Sequence, residues 1–148
     1  MKAAITLVLI ASFGALVLLE ACICSTISPE SQIGDVECTV LADILKEPPK
    51  GDRSLILVSA SPLTFDRFSK GYSGTTRLKN IVDAKLIDGD WRDIKSGEIG
   101  TKVVLQAKIT SRSRAICSVM RGGTGFLYEL RFRWGRWRIS NVEVSSVF

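Results

Sequence analysis

Hydrophobic and polar positions change pattern several times along the chain. Residues 3–19 are apolar almost throughout, interrupted only by Thr6, Ser12 and Gly14. Residues 25–35 have no periodicity and mix Ser, Thr, Pro, Gln and Gly with two acids, the composition of a flexible tether. Helical spacing follows. Val36, Val40, Leu41, Ile44 and Leu45 share one face and Glu37, Asp43, Lys46 and Glu47 lie away from it. This predicts a helix of about twelve residues, capped by Asp35 and stopped by Pro48-Pro49.

The middle of the chain is less regular. Residues 54–60 are a short apolar run that suits a buried strand or a helical turn. Ser61-Pro62 opens a short helix through Phe65 and Phe68 towards Tyr72, closing at Gly71 and Gly74. Residues 75–88 read as helix in their first half, from Leu78, Ile81 and Val82, and as strand in their second. Asp88-Gly89-Asp90 turns the chain, and residues 91–100 form a polar connection.

From Thr101 the period becomes two. Val103, Leu105, Ala107 and Ile109 point inward, then Ala115, Cys117 and Val119 after a turn at residues 111–113, and residues 122–125 turn the chain again. Tyr128, Leu130, Phe132 and Trp134 oppose Glu129, Arg131 and Arg133. Gly135-Arg136, with glycine first, predicts a type II′ hairpin that pairs Trp134 with Trp137, Phe132 with Ile139 and Arg133 with Arg138. The inward phase shifts after Ile139 to Val142 and Val144, which places a bulge near Ser140-Asn141. The expected fold is α+β, short helices on a curved antiparallel sheet of about four to five strands.

Met1-Lys2 and the seventeen residues that follow decide the compartment. As helix they span about 25 Å, short of a bilayer core of about 30 Å and slightly long for a signal core. Leu19-Glu20-Ala21-Cys22 resembles the lipobox of bacterial lipoproteins: an aliphatic residue, a variable position, a small residue and the cysteine that is acylated. The resemblance implies a cut before Cys22, lipidation of Cys22 and stable anchoring by several acyl chains. An uncleaved anchor and plain secretion are the alternatives. The expected organisation is a signal peptide or anchor over residues 1–21, a tether over 22–35 and one extracytoplasmic domain over 36–148.

Residues 127–144 resemble the closing hairpin of NTF2-like (cystatin-like) α+β domains, which often end in a Gly-x-Trp-x-Ile-x-x-Val pattern. Here the pattern falls on Gly135, Trp137, Ile139 and Val142. The resemblance implies helices folded against a strongly curved sheet, a cone able to hold a ligand. Enzymes of that family rely on pocket Asp, Tyr or His, which directs attention to Asp83 and Tyr128.

The net charge is +5, unevenly spread. Residues 102–148 carry nine basic side chains against Glu129 and Glu143 alone. Arg131, Arg133, Arg136 and Arg138 are the sharpest hint. A like-charge pair across a hairpin costs stability unless an anion intervenes, and arginine grips carboxylate or phosphate bidentately. The chain has no histidine. That removes Ser-His-Asp and Cys-His catalysis and HExxH zinc sites. There is no phosphate-binding GxxxxGK[ST] loop, and Gly123-Thr124-Gly125 is a turn. Asp88, Asp90 and Asp93 fail as a calcium loop, because Arg92 takes the fifth place and no glutamate closes the twelfth.

In an oxidising compartment Cys38 and Cys117 are candidates for one disulfide, or equally two small buried apolar residues, with Cys24 left over. No catalytic set, metal or cofactor is expected, and no nucleic acid. The expected function is a membrane-tethered binding or assembly module of the envelope. Its partners would be membrane lipid through the N-terminus and an envelope protein or anionic surface. A small-ligand carrier with an aromatic-lined pocket and an NTF2-like enzyme are the alternatives.

Overall fold

A computed structural model describes residues 28–46 and 55–147. The leader with Cys22 and Cys24, and the Pro48-Pro49 helix stop, lie outside the described residues.

The first helix, α1 (Pro29–Ile44), begins earlier than its apolar face implies. Ser28 is the N-cap and accepts from the Ser31 amide at 3.2 Å, while Pro29 sits in the first turn, where a missing N–H is harmless. Residues 29–35, expected as tether, are therefore helical. Asp35 is not a cap but binds Arg67 at 2.9 Å. Val36, Val40, Leu41 and Ile44 are buried as the spacing predicts, but so is Glu37, which was expected to face away.

The short apolar run is a strand, β1 (Leu55–Ser59), with Leu55, Ile56, Leu57 and Val58 buried on both faces. Helix α2 (Pro62–Gly71) starts at Ser61-Pro62 as expected. The helix expected next is instead strand β2 (Arg77–Asn80) followed by one 3-10 turn, Ile81–Asp83. A separate hairpin follows, β3 (Ala84–Ile87) and β4 (Asp90–Asp93), turning at Asp88-Gly89. Part of the expected polar connection is thus strand.

The period-two segment is a meander: β5 (Thr101–Ser111), β6 (Arg114–Arg121), β7 (Thr124–Arg133) and β8 (Arg136–Val147). The sheet has six strands in the order β2-β1-β5-β6-β7-β8, with β1 parallel to both neighbours and the rest antiparallel. The additional, parallel edge exists because α2 carries the chain back between β1 and β2, the crossover that parallel pairing needs. A strand covered on both faces reads as a continuous apolar run, which is why β1 shows no alternation.

The inward side chains of the meander meet α1, and Ile56 and Val58 join the same core. On the other face of β1, Gly100 lies so close that a Cβ there would stand 2.8 Å from Leu57 Cγ. Gly34 faces α2, where a Cβ would meet Leu63 Cβ at an ordinary contact distance of 3.9 Å. The predicted bulge is present: Glu129 pairs with Asn141 and Leu130 with Ile139, leaving Ser140 extra, its hydroxyl donating to Glu129 O at 3.1 Å.

Candidate functional site

The β7–β8 turn carries the largest departure from the expected register. Its central residues are Trp134 and Gly135, with φ of 56° and 72°. Two successive positive φ values are the pattern of a type I′ turn, which wants glycine second, not first. Arg133 therefore faces Arg136, Phe132 faces Trp137, Arg131 faces Arg138 and Leu130 faces Ile139. The pairs Trp134–Trp137, Phe132–Ile139 and Arg133–Arg138 do not form. Trp137 is buried and meets Phe132 edge-on at 5.3 Å, whereas Trp134 leaves the strand and is 72% exposed.

The corrected register builds a different charge pattern. Arg131 pairs with Arg138 on one side and with Arg114 of β6 on the other. Three exposed arginines thus stand abreast on neighbouring strands, spaced by about 5 Å of backbone. Arg133 and Arg136 form a further pair towards the turn. None of the described ion pairs uses Arg114, Arg131, Arg133, Arg136 or Arg138. Glu129 is the carboxylate closest in the register, opposite Ile116 and Asn141, while Glu143 receives the Asn141 amide at 2.8 Å. A shallow depression of about 180 Å³ lies beside the row, lined by Thr110, Arg114, Ile116, Glu129, Arg131 and Ser140. Two arginines line it against the one carboxylate of Glu129, a positive surplus that suits a carboxylate or phosphate group.

The other singled-out residues have structural occupations. Cys38 and Cys117 are free thiols, not a disulfide. α1 turns Cys38 towards α2, where its Sγ lies 3.8 Å from Thr64 O, whereas Cys117 points inward from β6. Burial, with the charge of Asp35, raises the Cys38 thiol to about 11, and burial with the charge of Glu37 raises Cys117 to about 12. Both are protonated and poor nucleophiles at neutral pH.

Glu37 is occupied in the same region. Its Oε2 accepts from the Ser61 amide at 3.0 Å and from the Thr64 hydroxyl at 2.6 Å. It thereby caps α2, whose own N-cap Ser61 makes no side-chain cap bond.

Of the acidic trio, Asp88 takes part in a turn and Asp90 starts β4, but Asp93 is buried. Its Oδ2 accepts from Lys79 at 2.7 Å and from the Ser96 amide and hydroxyl at 2.8 and 2.6 Å. The Lys79 hydrogen bond first, then those of Ser96, hold this carboxyl well below the usual range. Among the described residues, no three His, Cys, Asp or Glu side chains come close enough to hold a metal ion. Asp83 is exposed on the 3-10 turn and Tyr128 buried on β7, with β1, β5 and β6 between them in the sheet. Tyr128 instead borders an open cleft of about 340 Å³ with Ile44, Lys46, Arg121, Phe126 and Val142.

The outward phase of Arg114 is visible in the alternation around Ala115 and Cys117. Its place next to Arg131 depends on strand pairing and has no local signal. No family model matches the chain, and no curated protein or solved structure matches it significantly.

Proposed function

We propose that the protein is an extracytoplasmic binding module, tethered to a membrane through its N-terminus, that works in an envelope assembly by receiving anionic groups of a partner protein on its arginine row. The observation carrying this reading is the alignment of Arg114, Arg131 and Arg138 across three strands. Like charges directly opposite one another are unfavourable, so the arrangement is suited to a counter-charge supplied from outside. The tether follows from the lipobox-like Leu19-Glu20-Ala21-Cys22 and the apolar run before it. An NTF2-like layout accords with α1 lying on the antiparallel meander; the parallel β1–β2 edge is a departure from it.

Reversing the row tests the reading. The pair Arg131→Glu and Arg138→Glu is expected to abolish recovery of the partner captured by the wild-type protein after cross-linking in intact envelopes, with the melting temperature unchanged. Unchanged recovery rejects it. The tether is read separately by intact mass of membrane-extracted protein: an acylated chain beginning at Cys22 supports it, and an unprocessed soluble chain removes it. A carrier role is the second reading, favoured by the cleft beside Tyr128 and by the exposure of Val142 and Val144 next to it.

A further inference from the structure

The hairpin tip has a feature the arginine row does not explain. Type I′ turns favour Asn, Asp or Gly at their first central position, because only these tolerate the left-handed backbone easily. Here that position is Trp134, the largest side chain available, and it points into solvent. Backbone strain of this kind, holding an exposed aromatic at the end of a rigid hairpin, is characteristic of a contact site. Arg133 and Arg136 flank it directly, and Arg112 stands exposed in the neighbouring β5–β6 turn.

Helix α1 spans the space between α2 and the β6–β8 strands. At its C-terminal end, Asp43, Ile44 and Lys46 line the cleft with Val119, Arg121 and Phe126, next to the β6–β7 turn. Half-way back, Glu37 accepts from the Ser61 amide and the Thr64 hydroxyl at the start of α2. Near the start of α1, Asp35 and Ser31 accept from Arg67 of α2. β7 continues two residues past the Arg114–Arg131 pair, so the tip projects about 7 Å beyond β6.

Helix α1 also leaves little slack. Five residues lie between Cys22 and Ser28, six steps with a reach of at most about 20 Å. A tether running to residue 35 would have reached about 45 Å. A chain fastened at Cys22 holds its domain close to the bilayer. Tryptophan prefers the headgroup layer of a membrane, and arginines are drawn to an anionic leaflet.

We infer that the β7–β8 tip docks on an anionic phospholipid surface, Trp134 entering the headgroup layer while Arg133 and Arg136 bind lipid phosphates. This rests on the proposed tether and adds which end of the domain meets the lipid. The docked domain presents its arginine row beside the membrane, to partners that lie at that surface.

The test reconstitutes the full-length processed protein in vesicles of phosphatidylcholine, with or without phosphatidylglycerol, containing brominated lipid. Trp134 fluorescence, taken as the difference between wild type and Trp134→Asn, is expected to be quenched by the bromines in anionic vesicles only. Asparagine suits the turn better than tryptophan, so this variant keeps the fold. Arg133→Gln with Arg136→Gln is expected to lower the docked-to-undocked ratio about thirty-fold. Quenching of Trp134 by aqueous iodide but not by bromolipid, in both vesicle types, overturns the docking. So does protection of Trp134 from both quenchers by a protein partner in native envelopes. Flotation of the Cys22→Ser full-length chain separates the two readings. Trp134-dependent binding of that chain to anionic vesicles supports docking even if intact mass rejects the tether; binding indifferent to Trp134 overturns docking and leaves the tether standing.

Discussion

Strands β1 and β8 take opposite places in the same sheet. β1 is central, paired in parallel on both sides, and four of its five side chains are completely buried. β8 is an edge strand, and its N-terminal half, with the end of β7, carries arginines opposite arginines and an exposed tryptophan in a strained turn. The first arrangement minimises free energy through apolar burial and close backbone approach. The second leaves favourable contacts unmade within the chain. Stability and binding are therefore spatially separated, and substitutions in the two regions should move different observables.

The contrast is broken most severely at β1. Leu57→Ala is expected to cost about 2–5 kcal/mol by chemical denaturation, because it opens a cavity in the buried face of β1 turned away from α1, where Gly100 packs against Leu57. Removal of the α2 cap comes next. Glu37→Ala strands the Ser61 amide and takes the carboxylate acceptor from the Thr64 hydroxyl, and should cost about 1–3 kcal/mol, read in the same way.

At the other region the sign reverses. Arg138→Glu replaces a like-charge pair with an opposite one against Arg131 and should raise stability by about 0.2–1 kcal/mol while weakening partner recovery. A stability loss there would show that the row is held by contacts inside the protein, and the separation would fail.

The last effect is one of pH, at Asp93. Its carboxyl is depressed in the folded state, so its contribution is complete above the ordinary carboxylate value of about 3.9 and is lost as pH falls below it towards the folded value. Acid unfolding followed by fluorescence should therefore begin at higher pH in wild type than in Asp93→Asn, relative to each protein's own neutral stability. Coincident normalised acid transitions would remove Asp93 from that account.

Much of the meander was legible along the chain, because alternation and glycine turns are local. Val103 to Ile109, Ala115 to Val119 and Tyr128 to Phe132 occupy the inward face that their period implies, and the change of phase after Ile139 marks the bulge. Ser61-Pro62 marks its helix by the same local logic. Less legible was Ser28-Pro29, an equally local start signal that the absence of apolar periodicity in residues 29–35 obscured. The hairpin register was misread for a different reason. Both turn choices keep Phe132 and Trp137 on the inward face, so alternation cannot separate them. The backbone at Trp134-Gly135 and the Phe132–Trp137 packing decide between them.

By itself the amino-acid order determined the α+β class, the inward faces of the long strands, the arginine-rich end and the lack of histidine chemistry, because each depends on residue identity or on spacing within one element. Tertiary structure alone decided that β1 recruits a parallel neighbour, that Glu37 and Asp93 are buried carboxylates, and that Arg114, Arg131 and Arg138 stand abreast. Each of these depends on which distant segment a strand or side chain meets. That outcome is set by the free energy of the whole packed core, and no window of neighbouring residues contains it.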